Sequence, residues 1–250
     1  MEKKCSGFTL KMIAVVTMFI DHFGATIWER MMLQHSLLAE SLSGDLMYNI
    51  YLVLRGIGRM AFPIYCFLLV EGFVHTGNFV KYLLRLFLFA LISEIPFDLA
   101  FSETVFEWGY NNVFFTLLTG LLTIWGMEEV KKRLEAAKFP YLVWPLWFVL
   151  TFWGCVVSEL VFHCDYGSCG VLVIAAIYVL KDQPLLGFSC GVVILGLLSD
   201  SSEFLALLML IPIYFYNGKR GPKVKYVFYV FYPAHLLLLS LACYGLGLGI

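Results

Sequence analysis

The feature that most constrains this chain is a succession of apolar runs separated by short polar loops. Nine runs can be read, at about 8–28, 47–74, 79–101, 112–127, 140–162, 168–180, 184–199, 203–216 and 224–248. A helix needs about 20 apolar residues to cross a hydrocarbon core about 30 Å thick. The sixth to eighth runs are short for that, and the second is long enough to require tilt. A soluble domain of such composition is excluded: 61% of the 250 residues are hydrophobic and 14% are charged, against about 25% charged in ordinary soluble domains. The expected fold is therefore all-α, a polytopic transmembrane bundle of about 9–10 helices forming one integral membrane domain over 1–250. The first run lacks an Ala-x-Ala-like exit and is followed by further spans, so it is not read as a cleavable signal. No internal repeat is visible.

Loop charges set the orientation. With the N-terminus on the cytosolic side, inner stretches hold Lys3, Lys4, Lys11, Lys81, Arg85, Lys131, Lys132, Arg133, Lys138, Lys181, Lys219, Arg220, Lys223 and Lys225. These are all but three of the 17 basic residues. Arg30 falls outside, and Arg55 and Arg59 fall within the second run. Outer loops carry Glu40, Asp45, Glu103, Glu107, Asp165, Asp200 and Glu203. A net charge of -1 offers no footing for nucleic acid.

Ionisable residues inside apolar runs are expensive, and they mark candidate functional sites. The first run ends in Thr17-Met-Phe-Ile-Asp21-His22-Phe-Gly24. Neighbouring helical residues point about 100° apart and do not face each other. Asp21 is therefore expected to reach another helix. Arg55 and Arg59 in LRGIGRMAFP are four apart and share a face, and Pro63 deprives the Arg59 carbonyl of its helical donor. Glu94 and Asp98 in LISEIPFDLAF repeat the spacing with opposite sign, beside Pro96. At about 1.5 Å per residue, Asp21, Arg55 and Glu94 lie roughly 10–12 Å from the outer ends of their runs. Two readings stand for these charges: ion pairs that pin a bundle, or a chemical site. His22 favours the second, because imidazole is the usual proton carrier near neutral pH.

A second polar group sits at the cytosolic side in VEGFVHTGNFVKYLLR, with Glu71, His75, Asn78, Lys81 and Arg85. With Arg220 from the last inner loop, it suits a phosphorylated ligand. The outer HCDYGSCG stretch holds His163, Cys164, Asp165, Tyr166 and Cys169. Its spacing matches no standard zinc pattern, and no metal is expected. A Cys164–Cys169 disulfide is permitted at an oxidising face. The last run carries Tyr232, Pro233 and His235.

These motifs, in order, resemble the TraX family of bacterial membrane proteins over nearly the whole chain. They are Lys11-Met-Ile-Ala with Ile-Asp21-His22-Phe-Gly24, Arg55-Gly-Ile-Gly-Arg59-Met-Ala-Phe-Pro63, and Glu71-Gly-Phe-Val-His75-Thr-Gly-Asn78. Then follow Ser93-Glu94-Ile-Pro96-Phe-Asp98, Asn112-Val-Phe-Phe-Thr116, Asp165-Tyr166-Gly167 and Tyr232-Pro233-Ala-His235. The resemblance implies an acetyltransferase of the bacterial inner membrane, using cytosolic acetyl-CoA as donor. The family's named member caps the N-terminal amine of a conjugative pilin, and a wider group of transmembrane acyltransferases is similar.

On that basis His22 is expected to act as base or acyl relay, with Asp21, Arg59 and Arg55 completing the catalytic group. Glu94, Asp98, Asn112 and Tyr166 are expected to bind an amine or hydroxyl acceptor. Glu71, His75, Asn78, Lys81, Arg85, Arg220, Tyr232 and His235 are expected to hold acetyl-CoA. The alternative is a small transporter using the same charges as a substrate or proton pathway.

Overall fold

The computed structural model describes residues 4–34, 42–222 and 224–248. Lys3, Glu40 and Lys223, used in the orientation argument, lie outside the described residues, as does the side chain of Lys225.

All nine apolar runs are helical. We number the helices α1 (Gly7–Leu33), α2 (Gly44–Gly58), α3 (Ala61–Val74), α4 (Phe79–Phe101), α5 (Val113–Ala136) and α6 (Val143–Val156). They continue as α7 (Gly167–Val179), α8 (Pro184–Leu198), α9 (Leu210–Tyr214) and α10 (Lys225–Gly245). A 3-10 stretch, Ser201–Met209, leads into α9. Among the described residues the only β-type contacts are two isolated bridges. Five helical segments are long and apolar enough to cross a membrane: Gly7–Leu33, Gly44–Val74, Val113–Ala136, Pro140–Val161 and Tyr226–Gly245. The protein is thus an all-α polytopic membrane protein.

By internal packing the chain divides into two compact units. The first is Met1–Tyr65, Ile92–Glu107 and Ser202–Ile250; the second is Cys66–Leu91 and Trp108–Ser201. The divisions fall inside α3 and α4.

In the first unit, Ser6 caps α1: its hydroxyl accepts from the Thr9 N–H at 3.3 Å, while the Ser6 N–H donates to the Thr9 hydroxyl at 3.4 Å. This satisfies main-chain donors that a helix start leaves open. Cys5 pairs with Tyr216, and the Gly7 N–H donates to the Lys219 carbonyl at 2.8 Å, so loop 215–220 is fastened to the start of α1. Directly after His22 the helix widens into a π-turn, Gly24–Trp28, before resuming at Glu29. Such turns concentrate at functional sites. Ile27, Leu239, Cys243 and Leu248 form a buried cluster joining α1 to α10.

Pro63 was expected to kink the second run by freeing the Arg59 carbonyl. The break comes at Arg59–Met60 itself: α2 ends at Gly58 and α3 begins at Ala61. Pro63 then falls in the first turn of α3, where its missing N–H costs nothing. Pro96 leaves α4 continuous from Phe79 to Phe101. Arg30, assigned to an outer loop, is helical and buried, because α1 runs on to Leu33. It pairs with Glu103 at 2.7 Å and donates to the carbonyls of Ala100 and Leu248.

In the second unit α7 is the central helix, with Val171, Val173, Ile174, Ile177 and Tyr178 buried. The indole N–H of Trp147 donates to the Met127 carbonyl at 2.7 Å, joining α6 to α5. The outward face of α6, with Trp144 and Phe148, is exposed, as a surface meeting lipid must be. The outer loop is held by Asn111, whose N–H donates to the His163 carbonyl. Neither Cys164 nor Cys169 takes part in a disulfide, so the permitted bridge is not formed. Cys164 is buried beside Ser158 and Thr116, and burial pushes its thiol up.

Candidate functional site: a histidine pair beside a neutral charge network

The helical argument separated Asp21 from His22, and the side chains do diverge. His22 meets His235 of α10: Nδ1 of His22 lies 2.7 Å from Nε2 of His235, with the two rings 3° from parallel. His235 is 3% exposed. Its own Nδ1 lies 2.7 Å from the Phe231 carbonyl oxygen. A carbonyl only accepts, so the His235 Nδ1 carries a proton. In a neutral pair the His235 Nε2 is then an acceptor, and His22 donates to it from Nδ1. The lone pair of His22 is left on Nε2, for which no hydrogen bond is seen among the described residues. Aromatic side chains frame the pair. Phe101 and Tyr232 present edges to the His22 ring at 5.6 and 6.0 Å, and Phe231 stacks on His235 at 4.7 Å. The sequence reading held His22 alone and grouped His235 and Tyr232 with the cofactor; the structure brings all three together.

Asp21 turns to the second run. Its Oδ1 accepts from Arg55 Nη1 at 2.8 Å and Arg59 Nη2 at 3.4 Å. Arg59 Nη1 lies 3.0 Å from Glu203 Oε1. Two arginines and two carboxylates thus form a neutral network, as an apolar setting demands. The close approach rests on Gly58, where a Cβ would overlap the Asp21 carboxylate. Gly24 similarly lets α1 close on Leu54. Both arginines lie within electrostatic reach of His22.

Glu203 was placed in an outer loop and was missed. It is fully buried, one turn into the 3-10 stretch. One signal was available: two arginines in the second run faced a single aspartate in the first, so charge balance required another acid.

Glu94 and Asp98 are buried on α4 in the same unit. Asp98 Oδ2 accepts the Glu107 N–H at 2.8 Å, while its Oδ1 has no hydrogen bond among the described residues. Phe101, three residues after Asp98 and seven after Glu94, continues their stripe to the His22 ring.

The other expected site residues belong to the second unit, apart from Arg220. Asn112 caps α5 by accepting from the Phe114 N–H, and its amide donates to the Ala90 carbonyl at 2.9 Å. The Tyr166 N–H donates to Thr116 at 3.5 Å. At the basic-loop end, Asn78 accepts from the Lys81 N–H at 2.9 Å and starts α4. His75 Nδ1 lies 2.9 Å from the Glu71 carbonyl oxygen. Arg85 Nε is buried with no hydrogen bond among the described residues. In the first unit Arg220 sits in the loop tied to α1, within electrostatic reach of Lys11.

Comparison with known proteins agrees with the motifs. The TraX protein family model matches residues 6–242. The probable fimbrial assembly protein FimC, serogroup H1, of Dichelobacter nodosus is 32% identical over 262 aligned residues, covering 95% of each chain. No solved structure matches. The chain belongs to the TraX family.

Proposed function

We propose that the protein is an acetyltransferase of the bacterial inner membrane, moving an acetyl group from acetyl-CoA to an amine or hydroxyl acceptor. The observation that carries this reading is the open Nε2 of His22, presented by a ring whose Nδ1 is committed to His235. Such a nitrogen takes a proton from an acceptor N–H or O–H as the acceptor heteroatom attacks the thioester carbonyl. Collapse of the tetrahedral adduct breaks the C–S bond and expels the CoA thiolate, which the proton held on His22 neutralises. General-base help of this kind is typically worth about 10²–10⁴-fold.

Arg55 is the better placed of the two arginines to steady the oxyanion. It spends one N–H on Asp21, and its side chain is 30% exposed, whereas Arg59 is divided between two carboxylates. Glu94 and Asp98 of the first unit suit a cationic amine; Asn112 and Tyr166 of the second unit are separate acceptor candidates. For the nucleotide end, the buried Arg85 Nε and the basic Lys81 of the second unit suit phosphate, with Glu71, His75 and Asn78 in the same unit; Arg220 of the first unit is a separate phosphate candidate. The relative's role in fimbrial assembly makes a pilin N-terminus the first acceptor to try.

The test is thiol release from acetyl-CoA by the purified protein in nanodiscs. It compares a peptide with a free N-terminal amine against its blocked counterpart and a hydroxyl acceptor, in wild type and His22→Ala. Amine- or hydroxyl-dependent release that falls about 10²-fold or more in His22→Ala supports the reading. Absence of release with every acceptor, together with acetyl-CoA-independent flux across vesicles, replaces it with a transporter.

A further inference from the structure

We infer that His235 is a positioning residue: it selects the His22 tautomer whose bare Nε2 does the chemistry. The inference rests on the function proposed above. Three contacts carry it. The Phe231 carbonyl can only accept, so it holds the proton on His235 Nδ1 at 2.7 Å. The His235 Nε2 is thereby an acceptor, 2.7 Å from His22 Nδ1. The Phe231 ring, stacked on His235 at 4.7 Å, and the edge of Tyr232 at 5.7 Å fix the plane in which that lone pair points. A free histidine side chain favours the opposite tautomer, with the proton on Nε2, and that form has no lone pair on Nε2 to offer an acceptor.

A carboxylate performs this orienting task in the serine-protease triad. Here a main-chain carbonyl does it through a second imidazole, and no charge is added. That fits the surroundings, since the arginines within electrostatic reach of His22 belong to a network already balanced within itself.

The experiment is nitrogen NMR on protein carrying ¹⁵N-labelled histidine in nanodiscs, with the five histidines assigned by single substitution. Wild type is expected to show His22 protonated on Nδ1 and bare on Nε2. His235→Leu is expected to move His22 toward the Nε2–H form and to lower kcat by about 10²-fold or more, with KM for acetyl-CoA little changed. His235→Gln offers a carboxamide oxygen as acceptor. It is expected to restore the Nδ1–H form and to bring kcat back to within about tenfold of wild type.

A proton on Nε2 of His22 in wild type overturns the inference, and so does an unchanged tautomer in His235→Leu. If His235→Leu does not fold, the wild-type and His235→Gln spectra decide the matter. The tautomer is read without turnover: a protein that transfers no acetyl group but shows the expected spectra removes the proposed function and leaves the His235 assignment standing.

Discussion

Arg59 Nη1 lies 3.0 Å from Glu203 Oε1, and the Glu203 side chain has no exposure to solvent. Removing one member of a buried charge network leaves it short of one charge, which typically costs about 3–5 kcal/mol. Glu203→Ala is therefore expected to destabilise the protein strongly, seen as a lower melting midpoint in detergent. Glu203→Gln keeps a hydrogen-bond acceptor but not the charge and should fall between. Combining Arg59→Met with Glu203→Met removes a cation and an anion together and leaves Asp21 with Arg55. This double variant should melt above Glu203→Ala, and a lower midpoint would show that the network is not the source of the cost.

Gly58 is the point where α2 passes closest to Asp21. Gly58→Ala places a methyl group where the carboxylate stands. The helix must shift, or Asp21 must leave Arg55 and Arg59. Overpacking of this sort costs about 1–3 kcal/mol, and it also displaces the turn that carries His22. The melting midpoint should drop in Gly58→Ala, as should the proposed acetyl transfer, whereas Gly44→Ala, which meets nothing within 4 Å, should change stability by no more than a few tenths of a kcal/mol.

The Cys164 thiol is buried at the outer loop and is raised by that burial. All seven cysteines are free. Thiol titration of unfolded protein prepared without reductant should find all seven, and reductant should leave the melting midpoint unchanged. In native protein Cys164 should react with maleimide only slowly, because the thiolate is the reactive form. Mass spectrometry of a Cys164–Cys169 crosslinked peptide would count against the free-thiol arrangement.

Periodicity and charge made the helices legible before any coordinates. Every one of the apolar runs became helical, the second as two helices, because main-chain groups in lipid must be satisfied within the segment. The Asp21–Arg55–Arg59 contact was legible too, since equal depth and opposite charge leave few partners. The histidine pair was not. His22 and His235 are 213 residues apart, and matching depth says nothing about which helices adjoin. Glu203 failed for a different reason: its apolar run was placed to begin at the acid, so the residue was read as loop. A 3-10 stretch carries no period that sequence inspection tracks well, and only charge balance pointed inward.

Arg30 is the clamp at the far end of α1. It pairs with Glu103 at 2.7 Å and donates to the Ala100 carbonyl at 2.7 Å and the Leu248 carbonyl at 3.3 Å. One guanidinium thereby holds the end of α4 and the chain beyond α10 against α1. Glu103 adopts a left-handed φ of 53°, which a glutamate holds only when its surroundings require it. Arg30→Lys keeps the charge but loses the fork that reaches three acceptors. It should retain the ion pair and abandon at least one carbonyl, for a loss of about 1–3 kcal/mol. Arg30→Leu should cost more than Arg30→Lys, since the ion pair to Glu103 is lost as well. The two contributions separate in a double-mutant cycle with Glu103→Gln: the coupling energy reports the ion pair, and the residual cost of Arg30→Leu in the Glu103→Gln background reports the carbonyls. A residual near zero would mean that the carbonyl contacts contribute nothing to stability.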